Sequence, residues 1–471
     1  MKSVYDYVVG ELSRGYLLER DEAMLSEKQR RVVTFMKTPR ELEKLMLFGF
    51  LICLDAFLFI LTFLPIRVLL SLSHSLYRFS RCRQRWIETC DLCDIFRVSI
   101  LLLCIVCMGY VDTSAVYHIV RAQSVIKLYV IYNMLEIFDR LLASIGQDTL
   151  DSLFWSAVDV EGKEGGEGRK PRDYLGAAFY YIVATGYVLI HTVVLLFQTV
   201  TLNVAVNSHS KALLTIMVSN NFVELKGSVF KKFERSNLFQ MSCSDIRERF
   251  HYVVLLGLVS VRNLAQFNWD PSYLHEVAPV LLLVLVSEVF VDWTKHAFIT
   301  KFNDISPDVY QEYRSILAKD LASSQHQQAK SDHSDLVSRR MGFIPLPLIC
   351  LVWRTLSQSF SFPGSREAAL VATIYLCLTS VKVVVGILLL HGARSYCEDR
   401  KSSTGAASSN ESSPCSHGSE TNSGVAGDVI IVGGAEGGVR QRTSSAAARK
   451  TVKQRSLSEV ERYTLVSNRI V

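Results

Sequence analysis

Proline, charge and every common catalytic signature are scarce in this chain. Proline supplies 10 of 471 residues and charged residues 20%, against roughly 25% charge in soluble domains. So few helix breakers and so little charge disfavour an ordinary soluble domain. They also disfavour disorder over residues 1–395, where aromatic residues are plentiful. The formal net charge is only +6, and no Lys/Arg stripe interleaves with aromatics, so nucleic acid is not an expected partner. No HExxH motif or Walker A loop occurs, and Ser, His and Asp fall in no hydrolase pattern. The Gly433-Gly434 and Gly437-Gly438 stretch lacks a P-loop lysine. Catalysis and cofactor binding are therefore not expected. The first 44 residues hold no apolar run long enough for a secretory signal, so the first apolar segment is expected to direct its own insertion.

What is abundant is clustered hydrophobicity, at 49% of residues. A bilayer core of roughly 30 Å needs about 20 apolar residues in a helix, and residues 45–66 (LMLFGFLICLDAFLFILTFLPI) meet that with one exception, Asp55. Thr38, Pro39 and Glu41 form an N-cap, N1 and capping-box pattern just before it. Residues 98–111 are long enough only if extended back through 92–97. Residues 115–142 alternate apolar positions with Arg121, Lys127, Glu136 and Asp139, and read as an amphipathic helix against the bundle or the interface better than as a span. Residues 161–173 form a charged, Gly-rich linker. Tyr174 to Ser210 then runs 37 residues without Asp, Glu, Lys or Arg, giving a span at 176–200 with a polar continuation. Further spans are expected at 250–268, 277–294 and 368–391, with 343–358 interrupted by Pro345 and Pro347.

The fold class is thus all-α, a polytopic helical membrane protein of about five to seven spans. A polar region occupies residues 1–44, the multi-pass core 45–395, and a Ser/Gly-rich tail, expected to be disordered, 396–471. Both flanks of segment 45–66 are basic. The positive-inside rule therefore leaves open a single crossing, a tight hairpin or a re-entrant element.

Four charges fall in or near spans: Asp55, Glu288, Asp292 and Lys382. Such residues line transport pathways or pair within the bundle. Asp55 with Lys382 is one such pair, and Asp292 with Lys295 is placed at the interface. The block Phe222–Arg235 reads as an amphipathic interfacial helix of roughly four turns. Phe222, Leu225, Val229 and Phe233 share one narrow face, Phe230 and Val223 lie at its edge, and Lys226 intrudes at the margin. Lys231, Lys232 and Arg235 at its end suit anionic headgroups. The pairs Cys90/Cys93 and Cys104/Cys107 have zinc-like spacing, but the second lies in apolar LLLCIVCMGY, where thiolates are costly. No metal is expected. Ser444 and Ser456 follow basic residues and are candidate phosphorylation sites, while Asn410-Glu-Ser412 is a glycosylation sequon. The two modifications would require opposite orientations of the tail.

Three stretches carry a resemblance: TPRELEKLMLFGFLICLDAFLFILTFLPIRV at 38–68, SNNFVELKGSVFKKF at 219–233 and VSEVFVDWTKHAFITKFN at 286–303. Together they resemble the eukaryotic transmembrane anterior posterior transformation protein family over roughly residues 30–395. That resemblance implies a multi-pass protein of the endoplasmic reticulum membrane without catalytic residues. It further implies links to protein-folding quality control through a SUN-domain-like partner, to the ciliary base and to skeletal patterning. The expected function is a non-enzymatic scaffold or adaptor with the lipid bilayer and membrane proteins as partners. The alternatives are a transporter or channel and a membrane receptor.

Overall fold

The computed structural model describes residues 2–12, 22–80, 89–162, 171–207, 223, 225–327, 337–338, 340–359 and 365–409. Among these no strand occurs. The chain divides into two compact units, residues 1–397 and 398–471, and all packing described below belongs to the first. Eleven long helices are described: α1 (Lys2–Leu12), α2 (Glu22–Ser80), α3 (Thr89–Gly109), α4 (Thr113–Arg121), α5 (Val125–Gly162), α6 (Pro171–Val206), α7 (Arg235–Gln266), α8 (Pro271–Phe302), α9 (Val309–Gln327), α10 (Pro345–Ser359) and α11 (Ser365–Ser409). Five contain stretches long and apolar enough to cross a membrane: Leu25–Tyr77, Asp91–Gly109, Leu175–Val206, Pro271–Phe302 and Ala369–Tyr396. The protein is an all-α polytopic membrane protein.

Several expectations are corrected. Segment 45–66 is neither a hairpin nor re-entrant, because α2 runs unbroken for 59 residues, about 90 Å at 1.5 Å per residue. Thr38 is not an N-cap: the preceding AMLSEKQRRVVTFMK consists largely of good helix formers, so the helix starts far upstream. Within the helix, Thr38 Oγ1 donates to Thr34 O at 2.8 Å and lies 3.1 Å from Thr300 Oγ1 on α8. Residues 115–142 are two helices, not one. Asp112 caps α4 by accepting from Ser114 N and Ala115 N, and a turn at 122–124 precedes α5. The apolar run 250–268 is the second half of α7, whose first half is charged, so α7 is not among the five apolar helices. The 343–358 segment forms α10, whose 15 residues are too few to span, and Pro345 to Val352 are all buried.

Helix direction follows from the contacts. Thr38 meets Thr300 and Glu43 meets Trp293, so α2 and α8 are antiparallel. Asp55 meets Lys382 and Thr62 O accepts from Tyr375, so α2 and α11 are antiparallel as well. The turn into α8 is tight: Asn268 and Trp269 adopt φ of 54° and 64° before Asp270 caps Ser272 N at 2.9 Å, with Pro271 in the first turn. Helices α5 and α6 pack along their length, and Gly146 of α5 is the point of closest approach. A Cβ there would coincide with the Tyr187 ring and hydroxyl.

Replacing Gly146 by Ala forces Tyr187 out of place. We expect a loss of about 1–3 kcal/mol, the usual cost of overpacking, read as a lower thermal midpoint of the detergent-solubilised protein. Adding Tyr187→Ala to Gly146→Ala should remove the extra cost of the glycine substitution.

Candidate functional site: a buried ionic seam

The sequence DIRERFHY at 245–252 places charged or polar side chains over more than half the circumference of α7, with Ile246 and Phe250 on the remainder. A helix carrying them into a bundle needs a partner for each, because an unpaired buried charge costs several kcal/mol. Each neighbour supplies one. Toward α8, Asp245 meets Lys295 Nζ at 2.9 Å and His296 Nε2 at 2.8 Å, and Arg249 Nε donates to Asp292 Oδ2 at 2.7 Å. Toward α2, Arg249 Nη1 donates to Glu43 Oε1 at 2.8 Å, which also accepts from Trp293 Nε1 at 2.6 Å. Toward α5, Glu248 accepts from Arg140 Nη2 at 2.9 Å, Tyr132 donates to Tyr252 Oη at 2.9 Å, and His251 Nδ1 lies 3.6 Å from Asp139 Oδ2.

The seam contains one arrangement twice. Asp139 Oδ1 lies 2.8 Å from His191 Nε2, and His191 Nδ1 lies 2.9 Å from Tyr187 Oη. Asp245 Oδ2 lies 2.8 Å from His296 Nε2, and His296 Nδ1 lies 2.9 Å from Tyr310 Oη. An ionised carboxylate only accepts, so each Nε2 donates to its carboxylate, and each Nδ1 is hydrogen-bonded to a tyrosine hydroxyl. Asp139 is held between His191 and His251. At Asp245 burial pushes the carboxyl upward, but the Lys295 ammonium and then His296 outweigh it and hold the group below the usual carboxylate range. The two carboxylates together hold α5, α6, α7 and α8 in register. A small polar cavity opens among Tyr132, Glu136, Asp139, Gln198, Arg247 and Glu248.

Of the four charges singled out in the sequence, Asp55 and Lys382 meet at 2.6 Å between α2 and α11. The ammonium also lies 5.8 Å and 5.9 Å from the Phe59 and Phe63 ring centres. Asp292 and Lys295 are buried in the bundle. They pair at 3.0 Å, at 1% and 2% exposure, because Arg249 and Asp245 complete an alternating set of charges around them. Glu288 is buried on the same helix.

The block at 222–235 is not one four-turn helix. Residues 225–229 are helical, the chain turns at Phe230 and Lys231, and Arg235 opens α7. The docking of its end onto α8 accounts for the break. Phe233 N donates to Asn303 Oδ1 at 3.0 Å, Asn303 Nδ2 donates to Lys231 O at 3.4 Å, and the Phe230 ring lies 5.9 Å from that of Phe302. Arg235 O accepts from Tyr313 Oη of α9. Val229 is buried and Leu225 half-buried, while Lys226, Lys231, Lys232 and Phe230 are exposed. Phe222, Ser444, Ser456 and Asn410 lie outside the described residues. Among the cysteines, Cys104 Sγ donates to Thr185 O at 3.7 Å and Cys93 and Cys107 are half-buried, and among the described residues no cluster suited to a metal occurs.

The sequence pattern marks Asp139 only as one charge of an amphipathic helix, and it singles out none of His191, Asp245 and His296. A signal was present: charges in LEIFDRLL (Glu136, Asp139, Arg140) recur at helical spacing, as do Asp245, Glu248 and Arg249, so each set shares a face. What could not be read was that these faces meet.

Residues 87–398 match the model of a eukaryotic membrane protein family. The mouse transmembrane anterior posterior transformation protein 1 is 49% identical over 401 residues, covering 85% of this chain and 70% of the mouse protein. The Drosophila melanogaster protein TAPT1 homolog is 42% identical over 417 residues, 86% of this chain and 61% of its own length. The Dictyostelium discoideum homolog is 42% identical over 394 residues, 82% of this chain and 47% of its own. No solved structure matches.

Breaking a buried pair by removing one partner costs roughly 3–5 kcal/mol. Asp55→Lys and Lys382→Asp should each lower the thermal midpoint of the solubilised bundle, and the double reversal should recover most of the loss. Equal losses in the double variant would show that the two side chains are not coupled.

Proposed function

The chain belongs to the eukaryotic membrane protein family that includes the transmembrane anterior posterior transformation proteins, and on that premise we propose that it is a non-enzymatic membrane scaffold or adaptor. The observation that carries the reading is the engagement of Asp55, Asp292 and Lys382 in close interhelical pairs. Charges held this way tie helices together, and they support a rigid platform better than a hydrated pathway. The exposed Lys226, Lys231 and Lys232, on a segment docked against α8, offer a basic face for an anionic leaflet or an acidic partner segment.

The finer reading follows the family resemblance. It places the protein in the endoplasmic reticulum membrane, assembled with membrane proteins of which a SUN-domain-like protein is one, and serving folding quality control. The ciliary base is the alternative location. The relatives' printed name, anterior posterior transformation, supports a role in developmental patterning.

The rival reading is a transporter or channel using Asp55, Glu288 and Lys382. Purified protein in sealed vesicles should pass ions no faster than protein-free vesicles. A charge-selective flux that is lost in Asp55→Asn would establish the rival instead. Reversing Lys231, Lys232 and Arg235 to Glu should weaken capture of anionic vesicles by the protein held in neutral-lipid nanodiscs by roughly 1 kcal/mol per basic residue, read by co-flotation. Unchanged adhesion would remove the basic face from the proposal.

A further inference from the structure

The geometry points to a membrane span that hydropathy misses: helix α5 crosses the bilayer, with its charges turned inward and its lipid-facing side uncharged. The inference rests on the multi-pass character of the family and not on the scaffold reading.

The first observation is one of direction. Helices α3 and α6 are both apolar enough to span, and they run the same way. Tyr181 Oη donates to Ser99 Oγ at 3.0 Å, and further along both helices Cys104 meets Thr185. Two successive spans can be parallel only if the chain returns across the membrane between them. Helix α5 is the element that returns, since Gly146 faces Tyr187 and Asp139 meets His191, an antiparallel register along α6.

The second observation is an exposed face of matching length. The outward stripe of α5 comprises Ile126, Val130, Met134, Ile137, Leu141 and Ile145, from 52% exposed at Val130 and Met134 to 75% at Ile126. Exposed charge on this helix occurs at Lys127 and Asp148, and between them every exposed residue is uncharged. The 20 positions from Leu128 to Gln147 cover about 30 Å in a helix, the thickness of the hydrocarbon core.

The third observation is where the helix keeps its charge. Asp139 is buried against His191 and His251, and Arg140 links Glu136 to Glu248. A helix lying flat on the surface would turn those groups to water and its apolar side to the bundle. This helix does the reverse, so the occupant of its outer face is lipid hydrocarbon. The polar cavity at Glu136, Asp139 and Glu248 then lies at membrane depth.

The test uses the full chain in sealed microsomes, with an epitope tag inserted after Ser124 in one variant and within residues 163–170 in another. Each variant is first shown to resist alkaline carbonate extraction. Added protease should destroy one tag and spare the other until detergent is added. The same fate for both tags would place the ends of α5 on one side and overturn the inference. A photoprobe confined to the bilayer centre provides a second reading on the untagged protein. It should label Met134 or Ile137, and an α5 free of label would also overturn the inference.

Discussion

The arrangement of this bundle depends on the compensation of charge on α7. Asp245, Glu248, Arg249 and His251 leave the helix in different directions. In a low-dielectric interior none can be left alone. The helix is therefore tolerated only where α2, α5 and α8 each present an opposite or accepting group at a matching height. Hydrophobic contact alone would permit many registers between such helices, because apolar surfaces slide with little penalty and lipid is as apolar as a leucine side chain. Ion pairs at 2.7–2.9 Å do not slide. A buried pair adds little net stability over a hydrophobic substitute, so here its value lies in selecting one register.

The doubled Asp–His–Tyr arrangement extends that selection. Each carboxylate orients an imidazole, and each imidazole is hydrogen-bonded to a tyrosine hydroxyl, so three side chains on two helices in one set and on three in the other constrain one another. Asp139 and Asp245 lie on helices adjacent to one another, and the two relays brace α5 with α6 and α7 with α8 and α9. The Asp55–Lys382 pair plays the same part for α11, which otherwise touches α2 through Thr62 with Tyr375 and Phe48 with Tyr396.

Much of the architecture was legible in the order of residues. The apolar runs at 45–66, 176–200, 277–294 and 368–391 all fall within helices long and apolar enough to span, because about 20 apolar residues have few other stable uses. The run at 98–111 does so with the backward extension it needed, since α3 starts at Thr89. The readings that failed did so for physical reasons. The block at 222–235 has a helical wheel pattern, but such a pattern cannot register that Asn303 captures the chain at Phe233 and ends the helix early. Nor can the pattern around Asp292 and Lys295 show that each finds an opposite charge in the core.

The sequence by itself determined the solvent: its apolar runs require a membrane, since transfer free energy sums along a segment and depends on no other part of the chain. Only the tertiary structure decided which charges meet. Hydropathy averages around a helix, and so cannot distinguish α5, apolar outside and charged inside, from a surface helix of the same composition. The pairs Asp55–Lys382, Asp139–His191 and Arg249–Glu43 join segments far apart in the chain. The free energy of a pair belongs to neither residue alone, and it exists only when the fold brings both to one place.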